Sequence, residues 1–188
     1  MVKRLAAAAL VLLGAWSCAT VPTAAPAFFV EGLPSGVKSI MGLDDRIAAT
    51  DAWKALEAGR PEAARRILLK MDEANPVREA GLAYADLLAG DVAAAEARFL
   101  ASVAAHPEMV PSRIGLAQIH ETRREPAKAF AEYRAVLELQ PDHRWAGSRF
   151  ASLRDELHET AMAAAREALS SVDREAAKGG FVEAVFYV

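Results

Sequence analysis

From residue 44 onward, apolar positions recur at helical spacing in paired runs, each pair separated by a short polar turn. The plainest instance is Ala52-Trp53-Lys54-Ala55-Leu56-Glu57-Ala58-Gly59-Arg60-Pro61-Glu62-Ala63-Ala64, which reads as a helix end, a tight turn and a second helix start. The same arrangement returns over residues 83–95 around Gly90 and 117–129 around Arg124, with a fainter copy over 165–177 around Val172. Seven residues before each turn residue stands Ala52, Ala83, Ala117 or Ala165, and five after it Ala64, Ala95, Ala129 or Ala177. Nine after it comes a large side chain, Leu68, Phe99, Tyr133 or Phe181; seventeen after the first three turns comes Pro76, Pro107 or Pro141.

Each column has a physical reason. Small alanines let two antiparallel helices approach closely, and the large residue fills the space they leave. Glycine takes the left-handed backbone at a helix end, and Pro61 and Pro126 start second helices where a missing N–H costs nothing. The pattern predicts helix pairs over 44–58 with 61–73, 77–89 with 92–105, and 111–123 with 126–139. Turn-to-turn spacing is 31, 34 and then 48 residues. The longer step predicts one long helix over 142–171, with Trp145, Leu153, Leu157, Ala161, Ala164 and Ala168 at helical spacing and Phe150 one step off that stripe; the alternative is a break near His158–Thr160. Taking Val172-Asp173 as a turn makes 174–187 a closing helix. A turn at Gly179-Gly180 and a strand over 181–188 are the other readings of that end.

A period in the thirties with these columns marks a helical repeat array, and it resembles the tetratricopeptide repeat (TPR) family over residues 44–188. The resemblance implies an all-α fold: an antiparallel helix-hairpin solenoid of about four repeats with one extended helix. It also implies a protein or peptide partner bound in a concave groove lined by the first helices. The groove positions are then Trp53, Leu56, Tyr84, Leu87, Ile114, Gln118 and Glu121, apolar and aromatic at one end and polar at the other. Burial of Trp53 and Tyr84 under Phe28 and Phe29 is the alternative. Ala49 and Trp53 stand where some members carry the lysine and asparagine that clamp a C-terminal carboxylate, so chaperone-tail binding is not expected.

The first forty residues read differently. Lys3 and Arg4 precede an apolar run over residues 5–15, too short to span a bilayer comfortably, as in an export signal over residues 1–17. Cys18, the single cysteine, follows it, and the arrangement resembles a bacterial lipobox. That implies lipidation at Cys18, with Ala19 in place of the inner-membrane retention aspartate favouring an outer-membrane lipoprotein facing the periplasm. Ordinary cleavage, leaving a secreted protein with a free N-terminal thiol, is the other reading. Residues 18–43, with Pro22, Pro26 and Pro34, read as a flexible tether.

Charge and motifs narrow the function further. The net charge of −3 lacks the basic face that nucleic-acid binding needs. His120-Glu121 and His158-Glu159 begin like a zinc helix, but Arg124 and Met162 occupy the place of the second histidine. No phosphate loop or nucleophile elbow is present, and the acidic pairs have no neighbour to split their pKa values. The expectation is a non-enzymatic scaffold of the cell envelope, without metal or cofactor, held to the membrane by a lipid anchor only. Association through the apolar C-terminal edge, Phe181 to Val188, is a further expectation. An envelope enzyme or ligand carrier using the groove is the rival.

Overall fold

A computed structural model of the chain describes residue 33 and residues 35–179, with side chains as far as 172. Every regular element among these residues is helical: α1 (Ser35–Ile40), α2 (Leu43–Glu57), α3 (Pro61–Leu68), α4 (Pro76–Leu88), α5 (Val92–Ala105), α6 (Val110–Thr122), α7 (Pro126–Leu139) and α8 (Arg144–Gly179). From α2 to α8 each helix packs on the next, and α4 also touches α2 and α6.

The three strongest turns share one backbone device. Gly59, Gly90 and Arg124 have φ of 66°, 88° and 59°, the left-handed conformation. In each, two amides close back on the helix just ended: Gly59 N and Arg60 N donate to Leu56 O and Ala55 O, at 2.9 and 2.8 Å. Gly90 and Asp91 repeat this on Leu87 and Asp86, and Arg124 and Glu125 on Glu121 and His120. This is the Schellman ending, which satisfies carbonyls that a helix end leaves open. Arg124 holds it without being glycine.

The packing columns follow. Ala52, Ala83 and Ala117, Ala64, Ala95 and Ala129, and the large Leu68, Phe99 and Tyr133 are all buried. A further column accompanies them. A Cβ on Gly81 would lie 2.7 Å from Leu68 Cδ2, and one on Gly115 would lie 2.3 Å from Phe99 Cζ. The large residue of one hairpin therefore presses directly on the bare backbone of the next. Asn75 starts α4 by accepting from Val77 N at 3.0 Å and donates to Asp45 on α2 at 3.0 Å. Asp91 starts α5 by accepting from Ala94 N at 3.0 Å.

Three expectations need correction. First, α3 stops at Leu68 and not at 73: Lys70 N and Met71 N donate to carbonyls three residues back, and the tightened turn sends Met71 into the core. Second, the segment read as tether holds α1, and Leu33, Val37 and Met41, spaced by four, are buried in the N-terminal core. Third, Val172 is no turn: α8 runs unbroken through it, and residues 174–179 belong to α8 rather than to a closing helix. A β-branched residue is costly in the left-handed region, and Val172 is 59% exposed, so little packing is there to impose it. The described residues therefore form three hairpins and one long helix, not four hairpins. The long helix expected over 142–171 is present within α8, without the alternative break near His158–Thr160; Thr160 Oγ1 donates to Glu156 O within it at 2.8 Å. Residues 181–188 lie outside the described residues.

Candidate functional site

The expected groove residues do not share one environment. Trp53, Leu56, Tyr84, Leu87, Ile114 and Gln118 are all 5% exposed or less, so they are not exposed anchors. The cause is the packing of the first helices. Trp53 and Tyr84 meet edge to face at 5.1 Å, and Tyr84 meets Phe99 likewise at 4.9 Å. The Tyr84 hydroxyl donates to Pro111 O at 2.9 Å, so its one polar group is satisfied inside the core. Burial pushes the Tyr84 pKa far above that of a free tyrosine.

Glu121, the seventh, lines a surface cavity. Its column reads Leu56, Leu87, Glu121 in the three hairpins, so the carboxylate replaces a core leucine. Tyr133 on α7 donates to Glu121 Oε1 at 2.6 Å, and Arg149 on α8 forks onto both carboxylate oxygens. Trp145 lies edge to face against Tyr133 at 5.4 Å. Burial, and then the Glu121 hydrogen bond, push the Tyr133 pKa far up; that same carboxylate raises the pKa of Arg149. The long helix thus locks onto the third hairpin through one half-buried acid.

The cavity beside this lock has a volume of about 340 Å³ and is lined by Glu121, Arg124, Pro126, Arg149, Leu153 and Glu156. Glu121 and Arg149 are committed to each other. Among the described residues, the Arg124 and Glu156 side chains have no ionic partner, so the mouth offers one cation and one anion over Pro126 and Leu153.

No protein-family profile, curated protein or solved structure matches the chain.

The other polar clusters do structural work. Asp86 on α4 receives Arg65 from α3 at 2.5 Å and Arg98 from α5 at 2.8 Å, and Arg98 also reaches Glu79 at 2.8 Å. Arg123 forks onto Glu96 at 2.6 and 2.7 Å, joining α5 to the third turn, and this holds the Glu96 pKa below the usual carboxylate range. His120 pairs with Glu125 at 2.8 Å across that turn, while His158 is exposed on α8. Among the described residues no cluster of histidine, cysteine and carboxylates is placed to hold a metal, and no helix is long and apolar enough to cross a membrane. Cys18 lies outside the described residues.

The sequence carried a signal for the Glu121 cavity: a charge in a column otherwise filled by leucine. Its partner Arg149 carried none, because it comes from the stretch that lengthens the 48-residue step.

Proposed function

We propose that this chain is an exported, lipid-anchored TPR-type scaffold that holds a protein partner at the cell envelope. The observation that carries the reading is the threefold recurrence of one hairpin: a left-handed turn at Gly59, Gly90 and Arg124, each with the same buried alanines and large residue around it. Stacked hairpins of this kind give an extended surface and no enclosed reaction chamber. In keeping with this, Glu121, an acid lining the cavity, is already engaged by Tyr133 and Arg149.

The partner contact falls at the C-terminal half, at the Glu121 cavity, because the N-terminal groove positions are core. Arg124 and Glu156 at its mouth suit a segment that carries both charges, with an apolar side chain against Pro126 and Leu153. Export and anchoring rest on Lys3 and Arg4, the apolar run after them and Cys18. An outer-membrane lipoprotein facing the periplasm is the form this takes in a Gram-negative envelope.

The test is a photo-crosslinking residue at Arg124 in cells, compared with the same residue at the exposed Lys54 on α2. The proposal expects one discrete adduct from position 124 that disappears when Glu156→Arg is added. Cys18→Ser should move the protein from the membrane to the soluble fraction. Adducts of equal pattern from both positions would overturn the binding site, and unchanged fractionation would overturn the anchor.

A further inference from the structure

α8 outruns the body it packs on. Its start lies antiparallel to α7: Gly147 sits by Leu137 near the end of α7, and Leu153 shares the cavity wall with Pro126 at its beginning. Ala146, Phe150 and Leu153 join the core there, but residues 158–172 are exposed without exception. Since α8 continues to Gly179, about 33 Å of helix stands beyond the hairpins.

The apolar stripe does not stop where the body does. Ala146, Phe150, Leu153 and Leu157 continue turn by turn as Ala161, Ala164, Ala168 and Val172. Ala165, Met162 and Leu169 widen it, and Leu169 and Val172 are 67% and 59% exposed. Glu159, Arg166, Glu167 and Ser170 occupy the opposite side. A helix of this length without tertiary contact is marginal in water, and among the described residues nothing covers the continuation of the stripe already packed against α7.

We propose that this overhang pairs antiparallel with the same segment of a second copy of the chain, about a two-fold axis between residues 166 and 167. A two-fold contact must be self-complementary, and this stripe is. In that register Ala161 faces the partner's Val172, and Ala165 faces the partner's Ala168. Each larger residue meets an alanine, so the helices approach closely. Leu169 likewise faces the partner's Ala164. The pairing leaves the hairpins and the Glu121 cavity at the two far ends, so one dimer presents two partner sites.

The experiment uses the full chain carrying Cys18→Ser, with Ala161→Cys and Val172→Cys together. These two positions are eleven residues apart on one helix, about 16 Å, beyond the reach of a disulfide within the chain. Mild oxidation should give a covalent species of twice the chain mass. Glu159→Cys with Arg166→Cys, on the polar side, should give none, and adding Ala165→Glu and Ala168→Glu to the first pair should abolish the species. Absence of the species with helicity intact, or its persistence with the glutamates, overturns the proposal. If the cysteine pair itself reduces helicity, light scattering of the Cys18→Ser chain decides: a single-chain mass at roughly 100 µM, about a hundred times a micromolar Kd, overturns it. So does a chain that becomes dimeric only when residues 180–188 are removed, since the stripe is then covered from within.

Discussion

Replacing Arg124 by glycine should make this protein more stable, and the structure gives the size of the gain. Arg124 holds φ 59° at the third turn, in the same two-bond helix ending that Gly59 and Gly90 make elsewhere. For a residue with a Cβ, the left-handed conformation costs roughly 1–2 kcal/mol. Glycine removes that cost but loses about 0.5–1 kcal/mol in chain entropy on folding. The Arg124 side chain is exposed and makes no ion pair among the described residues, so little is lost with it. The net gain is about 0.5–1 kcal/mol. The reciprocal change calibrates it: a Cβ on Gly90, at φ 88°, would meet nothing within 4 Å, so Gly90→Ala measures backbone strain alone. It should cost roughly 1 kcal/mol. Urea unfolding followed by helix circular dichroism reads both changes, as midpoints moving in opposite directions at constant slope. If Arg124→Gly lowers the midpoint, the turn is not strained as described; if Gly90→Ala leaves it unmoved, left-handed turns do not limit this fold.

Three further predictions follow from the packing. Gly115→Ala should destabilise by about 1–3 kcal/mol, since its Cβ would fall 2.3 Å from the fully buried Phe99 ring; thermal melts should show a smaller loss for Gly81→Ala, where flexible Leu68 ends can yield. Trp53→Ala should cost about 3–5 kcal/mol as a core truncation and leave the Arg124 crosslink unaltered once the protein is folded; normal stability with lost capture would return Trp53 to the binding surface. His143 Nδ1 accepts from Ala146 N at 3.2 Å at the start of α8, and burial holds its pKa below the ordinary 6.5. A group with a depressed folded pKa whose neutral form is the bonded one contributes stability above its unfolded pKa, lost as pH falls. Unfolding free energy should therefore drop from pH 7.5 to 5, and His143→Asn, which caps without titrating, should flatten the drop.

The hairpins were legible because their signals are local. A turn needs glycine, or a residue forced into its conformation, and a fixed distance to alanines on either side; residues 59, 90 and 124 carried all of that in one stretch of chain. The register of Leu33, Val37 and Met41 was equally local and was masked by the prolines around it. Val172 had the alanine columns without the surroundings that hold Arg124 left-handed, so there the columns marked only a helix face.

What tertiary structure decided was which side of each first helix meets water. Trp53, Tyr84 and Gln118 sit in a column that periodicity alone places on a helix face. Whether that face is a groove or core depends on how closely α2, α4 and α6 stand. Gly81 and Gly115 set that closeness by admitting Leu68 and Phe99 of the preceding hairpin onto bare backbone. The Glu121 lock is of the same kind. A lone carboxylate in a leucine column is visible along the chain, but the guanidinium that makes it affordable arrives from Arg149, 28 residues away, and only folding brings the two together.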